Sequence, residues 1–130
     1  LLAQPGELEV GRFQREVVAP ALQQFAEALR ERGVSAQVEV ATQEPNGLGI
    51  TVAVEGEPEF RYEVVCRQHA VMTTGAEHAT EELDTVFHRA EVHLHQGGQG
   101  YDVMGWSREQ IIHDVLGHFE RHQQFHRALH

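Results

Sequence analysis

The spacing of apolar residues changes twice along this chain, and these changes limit the folds that it can adopt. Up to Gly33, apolar residues recur every three or four positions, which predicts an amphipathic helix. From Ser35 to Cys66 they alternate with polar residues, which predicts strands with one apolar and one polar face. After Ser107 the helical spacing returns. The sequence therefore predicts a sheet with a helix before it and a helix after it.

Turn sequences separate the predicted strands. The first strand begins at Ser35 and leads into Pro45-Asn46-Gly47, where Asn-Gly favours a tight hairpin. Glu55 to Pro58 and Gly97 to Gly100 are the later turns, and Val71 to Asp84, which lacks either spacing, is predicted to be a long mobile loop. The apolar positions of the later strands are Leu48, Ile50, Val52 and Val54, then Phe60, Tyr62, Val64 and Cys66, then His88, Ala90, Val92 and Leu94, with Tyr101 to Met104 as a short edge strand. Strands joined in this way form a meander.

The two helices carry signals of their own. The first spans Val10 to Gly33, and Pro20 inside it removes a backbone donor, so we expect a kink or two short helices meeting there. The last helix opens with a capping box, in which Ser107 accepts from the backbone N–H three residues later and Gln110 reaches back. We therefore expect this helix to start within one residue of Ser107. It should pack by an apolar stripe formed by Ile111, Ile112, Val115, Phe119, His122, His126 and Leu129.

Together these elements predict an α+β fold. The expected architecture is a two-layer sandwich, in which an antiparallel sheet of four to five strands carries the N- and C-terminal helices on one face. Residues 1–130 are predicted to form one soluble domain, because 130 residues suffice for a single core. The uncovered face of the sheet would be either solvated or docked on another protein. Its polar residues are Glu39, Thr51, Arg61, Glu63, Arg67, Arg89, Glu91, His93 and His95.

Composition excludes several classes of function. The chain has 20 Asp and Glu against 10 Lys and Arg, a formal net charge of -10, so no nucleic-acid partner is predicted. All of the basic residues are arginine, which excludes a Schiff-base or P-loop lysine. The single cysteine, Cys66, fits a reducing compartment, and the alternation predicts that it is buried and inert. Ser107 is a cap and Ser35 leads a strand, so no serine is an evident nucleophile. An acidic domain without lysine or a nucleophile is predicted not to be an enzyme.

Metal binding has to be considered because the chain contains ten histidines. Four histidines recur at four-residue spacing in the last helical segment, where neighbouring imidazoles can share a zinc or nickel ion: His118, His122, His126 and His130. Neither an H-E-x-x-H motif nor a carboxylate on the same arc accompanies them. His93 and His95 share a strand face without an evident third ligand. We therefore predict no metal and no cofactor. The weak candidates for metal ligands are His118, His122, His126, His93 and His95.

The C-terminal half of the sequence resembles a known family. The run HRAEVHLHQGGQGYDVMGWSREQIIHDVLGHFERHQQF, residues 88–125, resembles the ending of the BetT-type choline transporters of the bacterial betaine/choline/carnitine transporter family. Its specific part is GGQGYDVMGWSREQIIHDVL. A weaker likeness covers FQREVVAPALQQFAEALRERG, residues 13–33, and the strand EFRYEVVCRQ. These segments together cover well over half of the chain.

The resemblance implies a cytoplasmic regulatory domain of a secondary transporter in the bacterial inner membrane. That transporter would import choline, a precursor of the osmoprotectant glycine betaine, and the domain would respond to osmotic stress. The start at Leu1 suggests a domain excised from the C-terminus of the larger protein. The expected partner is the membrane portion of the same transporter, whose substrate site is not present in this chain. Direct lipid binding is not expected, because anionic lipid repels an acidic domain.

Two alternatives stay open at this point. The chain could be a small free-standing enzyme or ligand-binding domain that uses the face of His93 and His95 or the predicted loop as its site. It could also be a metal-binding interaction module that uses the histidines of the last helix. A homo-oligomer through the uncovered face of the sheet is compatible with each of these hypotheses.

Overall fold

The computed structural model of the protein describes residues 5–41, 47–71, 85–94 and 100–128. The helices within these residues are α1 (Pro5–Phe13), α2 (Ala19–Glu31) and α3 (Arg108–Ala128), and the strands are β1 (Ser35–Ala41), β2 (Gly47–Ala53), β3 (Phe60–Val71), β4 (Thr85–Leu94) and β5 (Tyr101–Asp102). Several predicted features lie wholly or partly outside the described residues: the turn at Pro45-Asn46, residues 72–84 of the predicted loop, His95, residues 97–99 of the last turn, and Leu129 of the last helix. The turn after β2 is confirmed, with Gly56 at a φ of 83°.

The five strands form one antiparallel sheet in the order β1-β2-β3-β4-β5, so each strand pairs with its neighbour in sequence. Ile50 lies between Val38 and Tyr62 in the register, and Tyr62 pairs with Leu94, which brings the apolar positions to one face. The predicted meander is confirmed. The sequence placed Val71 in a loop, whereas it is the last residue of β3, because pairing with β4 continues that far.

The N-terminal helical segment is interrupted at Gln14–Val18, which form a π-helical turn between α1 and α2. In this turn the backbone N–H of Ala19 donates to the carbonyl of Gln14. Pro20, which has no N–H to donate, then sits in the first turn of α2, where a proline is tolerated. The prediction of two helices meeting near Pro20 is confirmed, although the helical segment begins earlier than predicted, at Pro5.

The core lies between the helices and one face of the sheet. Phe119 of α3 contacts both α2 and the sheet. Its ring centroid lies 6.0 Å from that of Phe25 in α2 and 5.4 Å from that of Phe60 in β3, and both contacts are edge-on. The largest side chains that are fully buried in the described residues are Tyr62, Leu22, Ile50, Ile111, Val18, Val52, Val64, Val92, Val103 and Val115. This arrangement confirms the two-layer α+β sandwich with both helical segments on the same face of the sheet.

The start of α3 matches the predicted capping box. The backbone N–H of Gln110 donates to Ser107 Oγ at 3.1 Å, and the backbone N–H of Ser107 donates to Gln110 Oε1 at 2.8 Å. The helix begins at Arg108, one residue after its cap. These two bonds satisfy backbone donors that have no partner within the helix.

We expect the substitution Ser107→Ala to lower the free energy of unfolding by about 1 kcal/mol, because one backbone N–H loses its acceptor. Urea denaturation of both proteins measures the difference. Ser107→Asp is the matched control, since its carboxylate accepts the same bond and should keep the stability near that of the wild type. Equal losses for Ala and Asp would contradict a capping role.

Candidate functional site

The face of the sheet opposite the helices carries the polar side chains that the sequence assigned to it. The residues of this open face alternate along β2 and β3 with buried apolar residues. Thr51 Oγ1 donates to Glu39 Oε1 at 3.2 Å across β1 and β2. A second and larger group lies on β3, β4 and β5. His95, which was expected on the same face, lies outside the described residues.

Glu91 lies at the centre of this second group. Its Oε1 is 3.5 Å from Arg67 Nε and 3.2 Å from His93 Nε2, and its Oε2 is 3.4 Å from Arg89 Nε. Arg89 also approaches Asp102 Oδ2 at 4.0 Å. We call these five residues the Glu91 cluster. One carboxylate of this cluster therefore contacts three basic side chains from two strands.

The strand register explains why the cluster needs an acidic residue at position 91. Arg67 and Arg89 are directly opposite each other on β3 and β4, and like charges at such a pair destabilise a sheet. Glu91 follows Arg89 on the same face and places one carboxylate oxygen on each guanidinium. The buried carboxylate thereby compensates a repulsion that the pairing itself creates.

Two residues at the centre of the open face are buried, which the alternation of the strands did not predict. Glu91 is only 8% exposed, and Val65, which is opposite it on β3, is 9% exposed. Gly100 accounts for part of this burial. A Cβ at that position would lie 3.1 Å from His93 Cε1 and 3.4 Å from Glu91 Oε1, so the Gly100 backbone lies close against these two side chains. This contact was not predicted, because Gly100 was assigned to an ordinary turn.

Two histidines of α3, His118 and His122, have protein partners in the structure. His118 lies between Tyr101 and Arg121, whereas His122 Nε2 is 2.9 Å from the carbonyl of Pro58 and its ring packs on Phe60 at 5.4 Å. The side chain of His126 is outside the described part of the chain. Among the described side chains, no three from His, Cys, Asp or Glu are grouped so that they could hold a metal ion.

A network of polar side chains links α3 to β3 and β5. Asp114 Oδ2 accepts hydrogen bonds from the hydroxyls of Tyr62, at 2.8 Å, and Tyr101. The Tyr101 hydroxyl is also 2.7 Å from His118 Nε2. Arg121 Nη2 lies 3.1 Å from the other ring nitrogen, Nδ1. We call these five residues the Asp114 network; helical spacing alone did not predict it.

Burial and charge shift the pKa values of this network. Burial, together with the Asp114 carboxylate, raises the pKa of Tyr62 and of Tyr101 above the usual tyrosine value, so both hydroxyls stay protonated. Burial lowers the pKa of His118 below its usual value; Asp114 opposes this shift and the Arg121 charge adds to it. The ring of His118 is therefore neutral at pH 7.

Cys66 is half-buried, although the alternation predicted that it is fully buried. It lies on the helix-facing side of β3, where the Gln14 side chain from the π-helical turn covers it. Gln14 Nε2 donates to Cys66 Sγ at 2.9 Å and lies 3.3 Å from the carbonyl of Val64. A polar side chain rather than an apolar one therefore packs on this thiol.

Comparison with known proteins identifies relatives over nearly the whole chain. It is 32% identical over 125 residues to the osmo-dependent choline transporter BetT2 of Acinetobacter baylyi, covering 93% of the chain and 18% of that protein. It is 30% identical over 129 residues to the high-affinity choline transport protein of Escherichia coli, covering 96% and 19%. The chain is homologous to a segment of the BetT-type transporters. A glycine betaine transporter of Acinetobacter baylyi is 29% identical over 119 residues, with coverages of 92% and 18%.

The BetT-type resemblance predicted from the sequence is thereby confirmed, although no family model matches the chain. These BetT-type relatives are transporters and not enzymes, which confirms the prediction that the chain is not an enzyme. The chain spans 18–19% of the length of these proteins. Within the described residues, no helix is both long and apolar enough to cross a membrane.

Proposed function

We propose that this chain is an osmosensing regulatory domain of a BetT-type transporter for choline or glycine betaine. In this proposal it forms a separate domain at the C-terminal end of the transporter, on the cytoplasmic side of the bacterial inner membrane, and binds the membrane portion of the same protein. The homology supports it, since one relative is named an osmo-dependent choline transporter. The observation on which the mechanism depends is the Glu91 cluster on the open face.

The Glu91 cluster combines buried and exposed charges, and salt acts on these differently. Screening shortens the range of charge interactions from about 8 Å at 0.15 M to about 3 Å at 1 M salt. The exposed contact between Arg89 and Asp102 weakens under such screening, whereas the contacts of the buried Glu91 carboxylate are screened much less. Rising ionic strength would thus weaken the contact between Arg89 and Asp102 and leave the contacts of the Glu91 carboxylate largely unchanged.

This difference supports a mechanism in which the domain moves between docked and released positions. The exposed arginines of the open face would contact acidic groups of the membrane portion, and screening would shift the population toward release. The net charge of -10 disfavours direct binding to anionic lipid, which leaves protein as the partner. A homo-oligomer formed through the same face is the competing arrangement.

The test measures choline uptake by the full-length transporter that carries this segment, over a series of osmolalities. Deletion of the segment is expected to remove most of the osmotic activation and to leave the selectivity for choline unchanged. Because a deletion can impair folding of the whole protein, the point variant Arg89→Gln is tested beside it and should move the activation threshold. Arg12→Gln, on the exposed surface of α1, is the matched control. A change of selectivity with normal osmotic activation would contradict the proposal.

A further inference from the structure

We infer that His118 is a proton-operated latch that holds Arg121 of α3 to the Asp114 network. In its neutral form the ring joins Arg121 to Tyr101, and in its protonated form it releases Arg121 and turns to Asp114. This role is separate from the osmotic response proposed above. It depends on the donors and acceptors that surround the imidazole ring.

The partners of the ring determine which nitrogen carries the hydrogen. Arg121 Nη2 is 3.1 Å from His118 Nδ1, and a guanidinium group only donates, so Nδ1 must accept. The hydrogen of the neutral ring is then on Nε2, which donates to the Tyr101 hydroxyl oxygen at 2.7 Å. Tyr101 donates its own hydrogen to Asp114. Each donor in this series therefore has an acceptor, provided that the ring is neutral.

Protonation of the His118 ring disrupts one of these contacts, the one between Nδ1 and Arg121. The added hydrogen has to sit on Nδ1, where it faces the N–H groups and the positive charge of Arg121. The Arg121 side chain belongs to an exposed residue, so it can move into solvent. His118 Nε2 keeps its hydrogen and lies 3.7 Å from Asp114 Oδ1, which attracts a charged ring. Acidification thereby replaces the contact with Arg121 by an ion pair with Asp114.

The described groups that face the His118 ring come from three elements. Asp114 and Arg121 belong to α3, Tyr101 belongs to β5 and Tyr62 belongs to β3, with its ring centroid 5.9 Å from that of His118. The raised pKa values of both tyrosines keep them neutral throughout the range in which histidine titrates. His118 is therefore the group in this network that changes its charge under mildly acidic conditions.

The direction of the pH effect follows from the lowered pKa of His118. An unfolded chain binds the proton near the ordinary value of 6.5, whereas the folded protein binds it only at lower pH. The unfolded state then holds more protons between these two values, so acid favours unfolding. The stability that neutral His118 contributes is complete above pH 6.5 and is lost as the pH falls through the folded value.

Nitrogen NMR of the histidine rings of this chain tests the latch, with the His118 signals assigned through the variant His118→Gln. At pH 7.5 we expect the wild-type ring to be neutral, with hydrogen on Nε2 and none on Nδ1. Arg121→Gln removes the positive charge beside Nδ1 and should shift the titration midpoint of His118 to higher pH. The linewidths of the Arg121 Nε signal should narrow in the wild type as His118 becomes protonated, because the side chain is released.

The matched control is Arg108→Gln, which removes an exposed arginine of the same helix that contacts the carbonyl of Glu16 instead of His118. Its midpoint should equal that of the wild type. Hydrogen on Nδ1 at pH 7.5 would overturn the latch, because Arg121 could then not donate to the ring. Equal midpoints for Arg121→Gln and Arg108→Gln would overturn it as well.

Discussion

Replacing Glu91 with glutamine is expected to lower the free energy of unfolding by about 2 kcal/mol. The substitution keeps the shape of the side chain and removes the negative charge between Arg67 and Arg89, which then repel each other across β3 and β4. The loss is smaller than for a fully buried ion pair, since both arginines reach solvent. Urea denaturation with the same slope for both proteins measures the effect.

Glu39→Gln is the matched control for this variant. It removes the same charge from the same face of the sheet, and the glutamine oxygen still accepts the hydrogen bond from Thr51. Its effect should stay within about 0.5 kcal/mol. If both variants lost the same free energy of unfolding, the total negative charge of the open face, rather than the arrangement around Glu91, would be what stabilises the sheet.

Asp114→Ala is expected to lower the free energy of unfolding by about 3 kcal/mol. Two tyrosine hydroxyls lose their shared acceptor, and Tyr62 is fully buried, so water does not replace the carboxylate there. Thermal or urea denaturation at pH 7.5 measures the loss, at a pH where His118 is neutral in both proteins.

A thermodynamic mutant cycle, in which the two tyrosines are replaced together, gives the control for the Asp114 prediction. When Tyr62→Phe and Tyr101→Phe have already removed both donors, Asp114→Ala should cost much less, because no hydroxyl is left without an acceptor. An unchanged cost in the tyrosine-free background would show that packing around Asp114, rather than the two hydrogen bonds, is responsible for the loss.

The fold was predictable from the sequence because its signals are local. Alternating residues in β2 and β3 defined which side chains share a face, and the residues Ser107 and Gln110 located the start of α3 to within one position. Both helical segments had one apolar stripe, so they could cover only one face of the sheet. Neither conclusion required knowledge of which distant residues meet.

The Glu91 cluster and the Asp114 network were less predictable because they depend on contacts between residues that are distant in sequence. Tyr62 and Asp114 are 52 positions apart, and each looked like an ordinary member of its own element until α3 was placed across β3. The burial of Glu91 depends on the register of β3 and β4 together with the path of Gly100. The end of β3 at Val71 was missed for the same reason, since its continuation is stabilised by the partner strand.

The position of Cys66 makes this residue a natural reporter on the N-terminal helices. Its sulfur lies beneath the Gln14 amide of the π-helical turn, and the chain has a single cysteine. A thiol-directed label that attaches to the sulfur competes with that amide for the same contact. We expect the rate of labelling to rise when the π-helical turn moves away from β3, so this single thiol reports on that turn without an engineered cysteine.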